Sequence, residues 1–234
     1  MKNKTPRMSF IIPVYKPDLD VLTKCIKALK AQSLKDWEAV FVLDGEDKAA
    51  ESLIRREMGS AKQDFDVIKQ PHGGAPRARN AGAEKAKGEF WVFWDCDCVI
   101  EVDSADQWVR ALDKDKDIDF VYQGYKFLGE QGALDTDPFD PWTLRVRNYI
   151  SGCYPFRKER FKKWNEDLKS LQDWDFWLNL VDAGAKGKML EGYGFSTKLP
   201  SATSISGQGC SAENWLSRVN AVKDLHKLPY RNRS

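Results

Sequence analysis

The 234-residue sequence predicts an α/β domain, a mainly parallel sheet flanked by helices. Three observations predict it. Apolar strand-like runs alternate with amphipathic helical stretches through the first half, the pattern of a parallel sheet with helices on its faces. The carboxylates that stand out fall directly after strand-like runs, where ligands bind in open α/β sheets. No internal repeat or low-complexity linker breaks the chain, so residues 1–234 are expected to form one domain, with a regular half over about 1–102 and a less regular half over about 103–234.

Taken in order, Met8-Ser-Phe-Ile-Ile-Pro-Val-Tyr15 reads as a buried first strand that includes Pro13 and ends on Tyr15. From Asp20, Leu22, Cys25, Ile26 and Leu29 recur at helical spacing and predict an amphipathic helix. Trp37-Glu-Ala-Val-Phe-Val-Leu43 is a second buried strand running into Asp44-Gly45, followed by a helix around 47–58 and a strand over Phe65–Lys69. His72-Gly-Gly-Ala-Pro-Arg-Ala-Arg-Asn-Ala-Gly82 is a glycine-containing turn leading into an alanine-rich helix that Gly88 can terminate. Glu89-Phe-Trp-Val-Phe-Trp94 is the next strand, and it delivers Asp95-Cys-Asp97.

Beyond residue 102 the pattern weakens. Asp103 is placed to cap a helix bearing Ala105, Trp108, Val109 and Leu112, and Asp119–Phe127 reads as a strand. Residues 129–147 look loop-like, with Pro138 and Pro141 beside acidic and aromatic residues. A helix is expected from near Asp173 to Gly184, and a last amphipathic helix over about 213–226, with Trp215, Leu216, Val219, Val222 and Leu225 on roughly one core-facing side.

Composition narrows the function. A formal net charge of +2 lacks the basic excess of a dedicated nucleic-acid binder, so no nucleic-acid partner is expected. No apolar run reaches membrane-spanning length, and the charged start has no apolar stretch behind it, which predicts a cytoplasmic protein. The basic tail from Lys227 would add at most weak peripheral contact with anionic lipid at the inner membrane face. The five cysteines form no CxxC pair, and Cys96 and Cys98 are poorly spaced for either a disulfide or zinc, so reduced thiols are the plain reading.

Asp95-Cys-Asp97 is the strongest local signal. Two carboxylates just past a buried strand can converge on one hard cation, and Mn²⁺ or Mg²⁺ commonly bridges such oxygens to substrate phosphates; two solvated aspartates at a strand end would look the same. Asp44 is placed to accept from a nucleobase N–H, though Asp-Gly is also a common turn pair. Arg77, Arg79 and Asn80 open a helix where an anionic or base-presenting ligand could sit, and they also suit a plain solvated helix. Of Asp173 and Asp175, one could cap a helix while the other faces a cleft. The two histidines, His72 and His226, have no ligand-spaced partner, so the spacing offers no zinc site, and no serine-hydrolase ordering is present.

In order and spacing, Ser9–Tyr15, Phe41–Gly45, Gly74–Gly82, Trp94–Asp97, Tyr154–Phe161 and Gln172–Leu178 together resemble glycosyltransferase family 2 from about residue 8 to 185. The resemblance implies a GT-A fold, in which the first half binds a nucleotide-sugar and the second, smaller half binds the acceptor. It implies inverting transfer from a nucleotide-diphosphosugar, usually a UDP-sugar, with Mn²⁺ or Mg²⁺. By similarity Pro13, Tyr15, Asp44, Arg79 and Asp95 would bind the donor, Asp95 and Asp97 would hold the metal, and Asp173 would deprotonate the acceptor hydroxyl. The acceptor would be a glycan, a lipid-linked group or a protein.

Two positions depart from the family pattern: Leu43 stands where a first acidic residue is common, and Gln172 replaces the usual Glu before the catalytic aspartate. The absence of a Gln-x-x-Arg-Trp motif points to a non-processive enzyme adding one sugar. A sugar-nucleotide nucleotidyltransferase and a non-catalytic nucleotide- or glycan-binding descendant are the alternatives. Against the first, Val14-Tyr-Lys-Pro-Asp18 stands where such enzymes carry a glycine-rich loop; against the second, Asp97 and Asp173 are retained.

Overall fold

The computed structural model describes residues 5–129, 132–198 and 212–228. Strand β1 (Met8–Val14) is fully or partly buried along its length, and helix α1 (Leu19–Ala31) returns across the sheet with Val21, Leu22, Cys25, Ile26 and Leu29 inward. That helix begins ahead of Asp20, because the Asp18 carboxylate accepts from the amides of Asp20 and Val21 and caps it. Strand β2 (Trp37–Asp44) is buried at every position, helix α2 (Lys48–Met58) is capped by Asp47, and strand β3 (Phe65–Gln70) follows.

Helix α3 (Ala75–Ala83) starts at Gly74, whose φ of 90° favours glycine, and has Pro76 in its first turn. It ends at Glu84, not at Gly88. Gly88 instead lies against β1, where its N–H donates to Ser9 Oγ at 2.7 Å. Gly82 is what lets α3 settle on the sheet: a Cβ there would stand 2.4 Å from Ile11 Cγ2. Strand β4 (Phe90–Phe93) pairs with β1, and Trp94 N–H donates to Ile11 O at 2.8 Å just past the end of their ladder.

The less regular half holds more structure than its pattern shows. Short strand β5 (Val99–Ile100) precedes helix α4 (Ser104–Lys114), and the Asp103 carboxylate accepts from Gln107 Nε2 rather than capping the backbone. Strand β6 (Phe120–Phe127) is as expected to within a residue. The stretch expected to be loop contains strand β7 (Ala133–Leu134) and helix α5 (Pro141–Val146), which has Asp140 as cap and Pro141 at its first position, where a missing N–H costs nothing. Strand β8 (Phe156–Arg157) and a single 3-10 turn over Lys158–Arg160 lead toward helix α6 (Gln172–Asp182). Strand β9 (Gly187–Thr197) and helix α7 (Ala212–Leu225) complete the described elements.

The sheet runs β3-β2-β1-β4-β8-β6-β9-β5, with β7 beside β6. Its long ladders, β1 with β2 and β4, β2 with β3, and β6 with β9, are parallel. The antiparallel contacts of β4–β8, β5–β9, β6–β7 and β6–β8 are one or two residue pairs each. Chain order reverses at β1, between β2 on one side and β4 on the other, so the carboxyl ends of β1 and β4 flank the position where open α/β sheets form their ligand crevice. Pro13 lies beyond the end of the β4 ladder, which stops at Ile11, so its missing N–H is tolerated in an otherwise central strand.

Aromatic rings fill the space between that sheet and α6. Phe93 packs on Phe156, Phe161, Trp164 and Phe176, and Phe176 stacks on Trp164 with ring centroids 4.5 Å apart. Truncating one such ring would cost about 3–5 kcal/mol, and this layer fixes where the first turn of α6 stands relative to β4. Helix α7 departs from the single core-facing side expected of it: Val222 is fully buried, whereas Trp215, Leu216 and Leu225 are exposed. The tail beyond Leu228 lies outside the described residues. Among the described residues no helix is long and apolar enough to cross a membrane.

Candidate active site

The crevice at the β1/β4 switch point collects most of the residues the sequence singles out. Tyr15, just past β1, is 46 % exposed, and its ring stacks on His72 at 4.0 Å and 14°. Behind this pair, Asp44 ends β2 almost fully buried. Its carboxylate accepts from Gln70 Nε2 at 2.7 Å, His72 Nδ1 at 2.9 Å, and the Gly73 and Gly74 amides at 2.8 Å each. Burial alone would push this carboxyl up, but these donors outweigh it and hold it below the usual range. Asp44 therefore ties the end of β3 and the start of α3 to the tip of β2. A carboxylate offers about four acceptor positions, so an incoming base N–H would share or replace one of these bonds. The donor most open to replacement is His72, whose side chain is half exposed.

Arg79 is the central side chain. Helix α3 points it inward, 8 % exposed, with its guanidinium 4.3 Å from the centre of the Trp164 ring. Nη2 donates to Asp95 Oδ1 at 2.8 Å and Nη1 to Gln172 Oε1 at 3.2 Å, while Nε has no partner among the described residues. One planar group thus joins the tip of β4 to the first residue of α6. Asn80 turns to structural work: it bonds the backbone of Trp164 in both directions and Glu166 Oε1, which holds the loop under Arg79. Arg77 is exposed on the far side of the same helix turn.

Asp95 is partly exposed at the crevice, and Asp97 lies exposed beside it on the following turn. Partial desolvation first, and then the negative charge of Asp95, push the Asp97 carboxyl up to about 6. That excess of negative charge among oxygen donors fits a hard divalent cation, which would relieve the repulsion. Lys198, bonded to Asp18 at 2.7 Å, adds positive charge toward Asp97.

Asp173 stands in the first turn of α6, next to the residue that Arg79 holds. Leu171, at φ 54°, occupies the cap position and offers no side-chain bond, so Asp173 is not the helix cap expected as one of its readings. Its Oδ1 accepts from the Trp174 amide at 2.9 Å. Burial raises its carboxyl above the ordinary range, against the pull of the Trp174 amide, Asn148 and Arg79, and the nearby Asp95 charge adds to the rise. A raised pKa suits a group that must take a proton. Asp175 points away, is buried, and pairs with His226 Nε2 at 2.9 Å.

Sequence reading missed Gln172 as a link to Arg79, Trp164 as its platform, His72 as the stacking partner of Tyr15, and Gln70 as a donor to Asp44. Only Gln172 carried a signal, as a departure from the family pattern.

The model of Glycosyl transferase family 2 matches residues 9–171, well over half of the chain. EpsH of Bacillus subtilis (strain 168) is 31 % identical over 164 residues, which is 70 % of this chain and 47 % of EpsH. The chain thus spans about half the length of that relative. S. aureus TarS 1–349, solved in complex with UDP-GlcNAc, superposes with a TM-score of 0.76 at 18 % identity, covering 93 % of this chain and 66 % of that one. The mannosyltransferase PcManGT from Pyrobaculum calidifontis, solved with GDP-Man and Mn²⁺, gives a TM-score of 0.66 at 16 % identity, covering 92 % and 61 %. At these identities the two structures share the GT-A fold with this chain.

Proposed function

The chain belongs to glycosyltransferase family 2, and from that premise we propose that it moves one sugar from a nucleotide-diphosphate sugar, a UDP-sugar, to an acceptor hydroxyl with inversion. The observation that carries this reading is the bridge made by Arg79, which brings the β4-tip carboxylate Asp95 and the α6 residue beside Asp173 to one crevice. The nucleoside would lie against Tyr15 and Pro13, with the loop organised by Asp44 behind it. Arg79, with N–H capacity left over, would face the diphosphate side.

Asp95 and Asp97 would hold Mn²⁺ or Mg²⁺, which when bound supplies positive charge to a departing diphosphate. On the opposite side Asp173 would take the proton of the attacking hydroxyl, and its raised pKa favours that task. The acceptor would enter over the 132–157 region. That a structural neighbour was solved with UDP-GlcNAc and another with Mn²⁺ supports the donor class and the metal.

A ligand that binds only the native state raises its melting temperature. We expect UDP or a UDP-sugar with Mn²⁺ to raise the Tm in a panel of nucleotide-sugars, and EDTA to diminish the shift. No stabilisation by any nucleotide, with or without metal, would overturn the reading.

A further inference from the structure

The floor of the crevice holds a second set of ligand atoms. The Cys98 N–H donates to Asp95 O at 3.1 Å, closing a turn that brings the side chains of these two residues to one side. Cys153 lies on the segment before β8, the strand that pairs with β4, and its Sγ lies 3.9 Å from Cys98 Sγ. A carboxylate oxygen of Asp95 and the two sulfurs all fall within 4.8 Å of one another. Both thiols are buried, while Asp95 is open to the crevice.

The sulfur spacing is informative. Two thiolates on one tetrahedral zinc, each with a Zn–S bond of about 2.3 Å, stand roughly 3.8 Å apart. A disulfide requires contraction to about 2.05 Å. The observed separation, at which the two thiols share an S–H···S hydrogen bond, is also that of two ligands on one soft cation, and thiolate donors select such cations over Mg²⁺ or Mn²⁺.

We propose that Cys98, Cys153 and Asp95 form a zinc-binding site beneath the donor crevice, with the fourth position open to water on the Asp95 side. On binding, both thiols lose their protons to the solvent and two Zn–S bonds form, with no change of oxidation state. Two thiolates and a carboxylate around Zn²⁺ leave one net negative charge, and Arg79, already bonded to Asp95, lies beside it to offset that charge. Asp95 would then serve two masters. Zinc draws on the carboxylate that the donor reading gives to Mn²⁺ and Arg79, so bound zinc would weaken nucleotide-sugar binding; that consequence, unlike the site itself, rests on the proposed function.

The test uses reduced full-length protein and Co²⁺ as a spectroscopic stand-in for zinc, with no nucleotide present. We expect one equivalent of cobalt to give a thiolate-to-cobalt charge-transfer band that Zn²⁺ abolishes. Cys98→Ala and Cys153→Ala should each remove the band, Asp95→Asn should weaken cobalt binding at least about tenfold, and Cys25→Ala and Cys96→Ala should leave it unchanged. Thermal melts report whether each variant is folded. The unsubstituted protein provides an independent measurement: Zn²⁺ should slow alkylation of Cys98 and Cys153, read by mass spectrometry. No band, a band that survives in folded Cys153→Ala, or equal alkylation with and without zinc would overturn the site. Since neither readout involves UDP, a chain that binds cobalt but no nucleotide would sink the transferase reading alone.

Discussion

Arg79 Nη2 lies 2.8 Å from Asp95 Oδ1, a bond between a buried helix residue and a half-exposed strand-tip carboxylate. The pair places a fixed positive group where a metal and a diphosphate are proposed to meet. Its other amino group reaches Gln172, so the same guanidinium also sets the position of the first turn of α6.

Arg79→Lys keeps the charge but loses the planar fork and the stacking on Trp164. UDP affinity should fall by about tenfold or more, each factor of ten being about 1.4 kcal/mol, and stability by about 1–3 kcal/mol. Calorimetric UDP titration and denaturant melts would measure both. Wild-type affinity in the lysine variant would mean that charge alone, not the two-ended bridge, matters.

Asp44→Asn puts an NH₂ where four donors now converge. The Gly73–Gly74 turn should loosen, costing about 1–3 kcal/mol, and UDP binding should weaken by about tenfold. His72→Ala separates the two effects, because it removes one partly exposed donor while leaving the buried bonds intact. If the base is read by Asp44, His72→Ala should bind UDP at least as well apart from the lost Tyr15 stacking. If Asp44→Asn destabilises the protein but leaves UDP affinity untouched, Asp44 is a turn organiser only.

Asp173→Asn preserves shape and the bond accepted from the Trp174 amide. Turnover should fall by roughly 10²–10⁴-fold while UDP affinity remains near wild type. Rates on an identified acceptor, paired with UDP titrations, test this. Near-wild-type turnover would move the base elsewhere. Asp175→Asn should act on stability instead, since that carboxylate is spent on His226.

The His226 side chain is 6 % exposed and lies between Asp175 and Asp182, 2.9 and 3.2 Å away; Asp182 is also bonded by Arg145. Burial lowers its pKa, but the two carboxylates outweigh this and raise it above 6.5. Only the imidazolium has two N–H donors for two carboxylates. With the folded pKa raised, the stabilisation is fully present below the unfolded value of about 6.5 and is lost as pH rises through the folded value. The Tm difference between wild type and His226→Gln should therefore be larger at about pH 5.5 than at about pH 8.5, on either side of that unfolded value. Taking the difference cancels the titration of Asp97 and Asp173, and an equal difference at both pH values would contradict the assignment.

By itself the sequence determined the strands β1, β2 and β4, the helices between them, and the placing of Asp44 at a strand end and of Asp95 and Asp97 just beyond one. Those features are local: a continuous apolar run or a helical period reports which residues are buried, whatever lies opposite. Only the tertiary structure decided that Arg79 meets Gln172, 93 residues away, that Cys98 faces Cys153, 55 residues away, and that His226 rather than a substrate takes Asp175, 51 residues away. It also decided β5, β7 and β8, whose two-residue length is too short to show a period, and which exist because a neighbouring strand supplies their hydrogen bonds. Such pairings depend on which strands become neighbours, a matter of packing between elements distant in sequence that no pattern along the chain reports.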